Sequence, residues 1–334
     1  MIYYVILIVG VALVFDFYNG MNDAANSIAT IVSTRVLTPL RAVVWAAFFN
    51  FVAAFGFGVK VATTVGKGIV DPSVVDAHVI LAGLIGAIAC TALATHFGIP
   101  ISASHSLIGG LVGAGVTNAG LGALNSSGLT KIVIFIVLAP LIGFVVGSII
   151  MISIHWIFRR AAPGKMEKYF KKLQLVSAAA FSLGHGTNDA QKTMGIIAVL
   201  LFSTGYLGEE FYVPIWVILA AHAAIALGTL LGGWRVIRTL GLRVTKLRPV
   251  GGFSAEAAAA SSLVYTALGG IPASTTHTIA GAIMGVGSTK RFSAVRWGIG
   301  RNLVIAWILT IPLAAGVAAA SLGLIKLLLK LGAG

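Results

Sequence analysis

Two stretches decide the architecture: FGIPISASHSLIGGLVGAGV (97–116) and GGIPASTTHTIAGAIMGVGS (269–288). At a constant offset they share Gly98/Gly270, Ile99/Ile271, Pro100/Pro272, Ser102/Ser274, His105/His277, Gly109/Gly281, Gly113/Gly285 and Gly115/Gly287. The same offset pairs Pro140 with Pro312 and Gly56 with Gly228. A second pair, FDFYNGMNDAAN (15–26) and FSLGHGTNDAQK (181–192), shares Phe15/Phe181, Gly20/Gly186, Asn22/Asn188, Asp23/Asp189 and Ala24/Ala190. Extra residues in the 203–212 region reconcile the two offsets. Two polar motifs that recur in the same order in both halves mark an internal duplication, beyond what composition yields by chance.

The duplicated unit is apolar. The 334 residues are 58% apolar and 10% charged, whereas a soluble domain carries about 25% charged residues. That balance excludes a cytosolic enzyme, a disordered chain and a secreted disulfide scaffold. Apolar stretches lie near 2–33, 42–60, 79–97, 100–117, 131–158, 175–203, 213–234, 253–269, 272–288 and 296–329. A helical span needs about 20 apolar residues, so the expected fold is an all-α polytopic membrane protein with ten hydrophobic segments, five in each half. The N-terminal MIYYVILIVGVALVFDFYNG has no basic leader and no small-residue cleavage site, and reads as a first span. Cys90 is the only cysteine and supports neither an intrachain disulfide nor a cysteine metal site.

An odd number of crossings per half makes the halves face opposite ways. The expected organisation is a first inverted repeat (1–158), a basic cytoplasmic linker (159–174) and a second inverted repeat (175–334). The links 97–100 and 269–272 are too short for ordinary loops, so 79–117 and 253–288 each form two spans or a re-entrant hairpin. Such symmetry belongs to secondary transporters, whose site lies near the midplane where the repeats meet, often at discontinuous helices.

Charge orients the chain. Lys and Arg number 23 against 9 Asp and Glu, a net of +14. A nucleic-acid surface is the weaker explanation, because cytoplasmic loops of membrane proteins collect these residues. The 159–172 segment holds Arg159, Arg160, Lys165, Lys168, Lys171 and Lys172, and 235–248 adds Arg235, Arg238, Arg243, Lys246 and Arg248. Placing both inside puts Arg35, Arg41, Lys290, Arg291 and Arg296 inside as well. Segment 204–212, with Glu209 and Glu210, falls outside, as does 61–78 with Asp71 and Asp76. The expected location is the cell membrane, with both termini extracytoplasmic.

The first motif pair buries ionisable groups. Asp16, Asn19, Asn22, Asp23 and Asn26 crowd the first span, and Asn188, Asp189, Gln191 and Lys192 the sixth. A charge at a helix centre costs about 2.5–3.5 kcal/mol on insertion scales, so such groups face a cavity, a partner or an ion. Carboxylate and amide oxygens suit a hard cation, and a lone Asp suits a proton. Hydrogen bonding between helices, or an Asp189–Lys192 pair at i,i+3, is the structural alternative. Gly20 and Gly186 are expected to let their helices open and free carbonyl oxygens.

The second pair reads as two helix starts: Pro before a hydroxyl run, then a glycine-rich apolar segment. Unpaired N–H groups and the dipole favour an anion there. Ser102, Ser104 and Ser106, with Ser274, Thr275, Thr276 and Thr278, add hydroxyl donors. Two such ends could grip one tetrahedral oxyanion; ordinary serine capping is the alternative. His105 and His277 follow the hydroxyls and fit either a donor to the anion or a structural role. His222, at the position matching Asn50, reads as a packing contact. The scattered histidines, without an HExxH spacing, speak against a metalloenzyme.

At these residues the chain resembles the inorganic phosphate transporter (PiT) family, including its bacterial low-affinity phosphate permeases. The carrying stretches are NGMNDAANSIATIVSTRVLTP (19–39), GIPISASHSLIGG (98–110), GHGTNDAQKTMGI (184–196) and GGIPASTTHT (269–278). The resemblance implies a symporter, not an enzyme, that moves inorganic phosphate with Na⁺ or H⁺ by alternating access, with no other cofactor. It implies a phosphate site from Ser102, Ser104, His105, Ser106, Ser274, Thr275, Thr276, His277 and Lys192, and a cation site from Asn22, Asp23, Asn26, Asn188 and Asp189. If sodium is the coupling ion, Asp23 and Asp189 are its metal ligands. Many bacterial members resemble the first element with His before the Asp; here that position is Asn22. A sulfate permease on the same scaffold, a membrane-embedded hydrolase using Ser104 or Thr276, and a channel are the competing readings. The partners implied are phosphate, the coupling cation and the lipid bilayer; a homo-oligomer is compatible with the sequence.

Overall fold

The computed structural model describes residues 2–56, 58–68 and 75–332, so Asp71 of the expected outer segment lies outside the described residues. Twelve α-helices follow in order: α1 (Ile2–Ser33), α2 (Pro39–Val52), α3 (Lys60–Gly68), α4 (Ala77–Phe97), α5 (Ala103–Ala119), α6 (Ser126–Ile157), α7 (Pro163–Ser203), α8 (Ile215–Leu231), α9 (Trp234–Arg238), α10 (Pro249–Leu268), α11 (Thr275–Ser288) and α12 (Trp297–Gly332). No strand occurs among the described residues. Each expected apolar stretch carries a helix. The short α3 and α9 are additional. Most of the basic linker is helical, because α7 starts at Pro163 and runs unbroken for 41 residues.

Local chemistry sets the ends. Asp76 caps α4 by accepting from the His78 and Val79 amides, both at 2.8 Å, and Asn125 caps α6 in the same way. Pro39, Pro163 and Pro249 stand in the first turns of α2, α7 and α10, where the missing N–H costs nothing. Gly98 ends α4 in the left-handed region, φ +71°, a conformation open to glycine at little cost.

Burial is distributed inside out relative to a soluble protein. The lipid-facing sides of α6 and α12 leave Val133, Val137, Leu141, Val145, Leu309 and Leu313 exposed, a patch too large for water contact. Helices α1, α4, α6 and α12 are each long and apolar enough to cross a membrane, and α8 with the α9 segment forms a broken pair bent by 63°. The centre is polar. On α1, Asp16, Asn19, Asp23, Asn26 and Thr30 recur at alternating steps of three and four and are all buried, which puts them on one helical face. On α7, Gln174, Ser177, His185, Asp189 and Lys192 are likewise buried. A polar seam therefore runs through the middle of an apolar bundle.

The halves interlock through their matched glycines. A Cβ on Gly109 or Gly113 of α5 would lie 2.4 Å from the Ile311 carbonyl oxygen and 2.2 Å from that of Ala315, both on α12. A Cβ on Gly281 or Gly285 of α11 would lie 2.1 Å from the carbonyl oxygens of Pro140 and Phe144 on α6. Each half thus packs its glycine-rich helix against the long Pro-containing helix of the other. Small residues permit this close approach, which drives helix association where lipid gives no hydrophobic gain.

The expectation that Gly20 and Gly186 open their helices is corrected by the same geometry. Both α1 and α7 run through them unbroken. A Cβ on Gly20 would meet the Ile225 carbonyl oxygen at 2.1 Å, and one on Gly186 the Asn50 carbonyl oxygen at 2.6 Å. These glycines admit a neighbouring backbone; they release no carbonyls.

The basic segments expected on one side gather at one end. One cavity there is lined by Arg159, Lys246, Arg248 and Lys290 from three separate links. At the other end Tyr206 and Tyr212, flanking Glu209 and Glu210, lie beside Ile2 and Val5 of α1.

Candidate functional site

The two Asn-Asp motifs meet. Asp23 of α1, His185 of α7 and Asp189 of α7 present ligand atoms all within 4.8 Å of one another, and all three side chains are buried. His185 Nε2 lies 3.2 Å from Asp189 Oδ2 and 3.7 Å from Asp23 Oδ2, while its Nδ1 lies 3.1 Å from Asn50 Oδ1. Nδ1 is thus within hydrogen-bonding distance of Asn50, and Nε2 sits beside both carboxylates. Asn50 is held in turn by donating to Thr229 at 2.9 Å.

The tip of the α10–α11 hairpin closes over the carboxylates. The Thr275 hydroxyl lies 3.0 Å from Asp23 Oδ2 and 3.1 Å from Asp189 Oδ2, so one hydroxyl bridges the two acids. The Thr276 hydroxyl lies 3.2 Å from Asp23 Oδ1 and 3.1 Å from the Ile101 carbonyl of the α4–α5 hairpin. Asn26 donates to Thr276 at 3.0 Å. Lys192, one turn beyond Asp189, donates to Asp189 Oδ1, to Ser104 Oγ and to the Ala273 carbonyl at 3.1 Å. Lys192 thereby ties both hairpin tips to α7. Asn22 sits 2.9 Å from the Thr95 hydroxyl of α4.

The hairpin tips are the matched helix starts. Ser102 accepts from the His105 amide and Ser274 from the His277 amide, each at 3.3 Å. Helix geometry leaves the first-turn N–H groups of α5 and α11 without helical partners, and both starts point into the buried centre beside Lys192. Carboxylate oxygens and N–H and O–H donors are therefore contiguous, with two carboxylates, one lysine, one imidazole and hydroxyls from both halves.

Not every expected residue joins this centre. Asn188 donates to the Leu263 and Gly184 carbonyls, at 2.9 and 3.1 Å, and so ties α7 to α10. Ser106 turns its hydroxyl back to the Ser102 carbonyl at 3.4 Å. Ser102 and Ser274 serve as caps. His105 and His277 face each other with ring centroids 4.6 Å apart. His277 also stacks on Trp307 at 3.9 Å. His222 bonds the Ile218 carbonyl of its own helix at 2.9 Å, the packing role expected for it.

Two residues beyond the expected set stand out. His185 is central; its position four before Asp189 puts both on one helical face, and that spacing was available to find it. Glu256 of α10 is fully buried and accepts from Thr30 at 2.5 Å, Ser177 at 2.5 Å and Gln174 at 2.9 Å. A lone acid in an apolar span is a signal in itself.

An apolar-skinned bundle with a charged centre closed from two sides by hairpin tips is a membrane carrier. The sequence assigns the kind. Residues 19–318 match the model of the phosphate transporter family, and the chain belongs to that family. It is 56% identical over 312 residues to a probable low-affinity inorganic phosphate transporter of Rhizobium meliloti (strain 1021), covering 93% of each chain. It is 43% identical over 316 residues to one of Bacillus subtilis (strain 168), covering 94% of this chain and 95% of the relative. A solved structure titled the sodium-dependent phosphate transporter superposes with a TM-score of 0.87 at 26% identity, covering 97% of this chain and 99% of the other. The chain is an integral membrane transporter, and its relatives are transporters, not enzymes.

Proposed function

We propose that this protein is a symporter that carries inorganic phosphate into the cell with a monovalent cation, by alternating access around the buried centre between two inverted repeats. The observation that carries the reading is the junction of Asp23 and Asp189 under Thr275, with Lys192 reaching Ser104. The cation binds among Asp23, Asp189, Asn22 and Asn26. Phosphate binds at the two helix starts, where Ser104, Thr275, Thr276, Lys192 and first-turn amides supply donors. Without the cation, Asp189 holds Lys192 in an ion pair, and the carboxylates compete with the anion for the donors around them. A bound cation takes over the carboxylates and frees Lys192 and the hydroxyls, so the two solutes bind and leave together.

Release follows from rocking one hairpin-bearing element against the rest, which separates Thr275 and Thr276 from Asp23 and exposes the centre to one side at a time. The basic end of the bundle lies in the cytoplasm, so both termini lie outside. The Ser104 and Thr276 hydroxyls bond Lys192 and Asp23 respectively, not a histidine, and Lys192 is itself held as a donor by Asp189, so neither hydroxyl has a free base beside it.

The test is uptake of labelled phosphate into proteoliposomes under imposed Na⁺ or pH gradients. Accumulation above the outside concentration under one gradient supports symport. Equal uptake with and without any gradient rejects it. Excess sulfate that competes fully with phosphate would reassign the substrate.

A further inference from the structure

The buried carboxylates are not equally served. Glu256 receives three donors, and Asp23 and Asp189 share Thr275, Thr276, His185 and Lys192. Asp16 is fully buried on α1, two turns from Asp23 toward the N-terminus, and its one hydrogen bond is a long 3.4 Å contact from Asn19. Its Oδ2 has no partner, nor does Asn19 Oδ1. The Thr193 hydroxyl of α7 is the donor this carboxylate faces across the seam, at a geometry too loose to satisfy either oxygen. Three unpartnered oxygens, each on a side chain at least 98% buried, therefore meet where α1 packs on α7. A bare carboxylate is costly in such a place, and even a neutral acceptor is destabilised there without a partner.

The duplication underlines the anomaly. The residues matching Asp16 and Asn19 in the second half are Ser182 and His185. The acid thus exists in one half only, outside the shared Asn-Asp element. Asp189 and His185 of α7 are the charged groups whose fields reach it. On α8, His222 bonds its own Ile218 carbonyl. On α4, His78 bonds Tyr4 about three turns away along α1, and on α5 His105 turns to His277. No cation of the chain pairs with Asp16 among the described residues.

We propose that Asp16, Asn19 and Thr193 form a second cation site, at which Asp16 takes up the proton that travels with phosphate. A proton on Oδ2 converts an orphan acceptor into a donor, and Asn19 Oδ1 and Thr193 Oγ1 are the acceptors such a donor needs. The O–H bond forms with a proton taken from water on the outer side and breaks when that proton is returned to water on the inner side. Three side-chain oxygens in a buried seam make a small shell that suits a proton better than a metal ion. The proposal rests on the symport reading for its role in transport, but the site itself can be tested alone.

Two measurements on the full-length protein decide it. Infrared difference spectra of purified wild type between alkaline and acid buffer should show a protonated-carboxyl band that Asp16→Asn removes and Asp16→Glu restores at a shifted frequency. In proteoliposomes under an inward pH gradient, Asp16→Asn should lower phosphate accumulation at least tenfold and abolish the accompanying external alkalinisation, with Asp16→Glu recovering both. An unchanged carboxyl band in a monodisperse Asp16→Asn protein overturns the proposal, as does wild-type proton movement per phosphate in that variant. Radioactive Na⁺ binding that disappears with Asp16, with no carboxyl band, overturns the proton assignment. A band assigned to Asp16 in a protein that transports no phosphate under any gradient would fell the symport reading and leave the site standing.

Discussion

Replacing Thr275 by Val keeps the side chain's shape and removes only the hydroxyl that lies 3.0 Å from Asp23 Oδ2 and 3.1 Å from Asp189 Oδ2. The hydroxyl has one proton, so it donates to one carboxylate at a time. A hydrogen bond to a charged group contributes about 1.5–3 kcal/mol, and about 1.4 kcal/mol is a factor of ten in an equilibrium constant. In the proposed site this hydroxyl turns to the bound phosphate, so the variant is expected to weaken phosphate binding roughly 10- to 150-fold, seen as a raised half-saturating phosphate concentration for uptake in proteoliposomes. Thr275→Ser retains the hydroxyl and should stay close to wild type. The matching residue of the first half, Ala103, has no hydroxyl, so no counterpart makes up the loss. A Thr275→Val protein with a half-saturating phosphate concentration within twofold of wild type would refute the idea that the start of α11 holds the anion.

Other outcomes follow from the same geometry. Asp189→Asn removes the carboxylate shared by Lys192, His185 and Thr275 and should abolish uptake while the protein still reaches the membrane, measured by uptake and membrane blotting together. Glu256→Ala leaves the Thr30, Ser177 and Gln174 donors without their shared acceptor, at about 1–3 kcal/mol for each left unpaired, and should lower the melting temperature in detergent. Gly281→Ala puts a methyl 2.1 Å from the Pro140 carbonyl oxygen; overpacking costs about 1–3 kcal/mol, so thermal stability should fall while Gly316→Ala, with open space around it, stays neutral.

How much of this was legible in the sequence depends on whether the deciding interaction is local. The helix starts at Ser102 and Ser274 were readable, because a cap and its amide lie three residues apart. The meeting of Asp23 with Asp189 was inferable from the duplication. The roles of Asn188 and Ser106 were not, since a hydroxyl or amide can turn to a distant or a local carbonyl without altering the motif. Gly20 and Gly186 were misread for a related reason. A glycine in a buried helix fits either an opened backbone or a close neighbour, and Ile225 and Asn50 are far away in the chain. His185 was within reach through its spacing from Asp189, and Glu256 through its isolation in an apolar span. Asp16 was visible as a charge, but only packing reveals that Glu256 is fully served and Asp16 is not.

The glycine seams between α5 and α12 and between α11 and α6 have a consequence for the origin of the molecule. A half-length chain would expose a groove that only a sibling's proline-bearing helix fills. Such an ancestor could persist only as a pair of copies, each lending its long helix to the other. Joining two such copies in one chain keeps those contacts and frees each from matching its twin; Asp16 opposite Ser182 is a divergence that an identical pair could not hold.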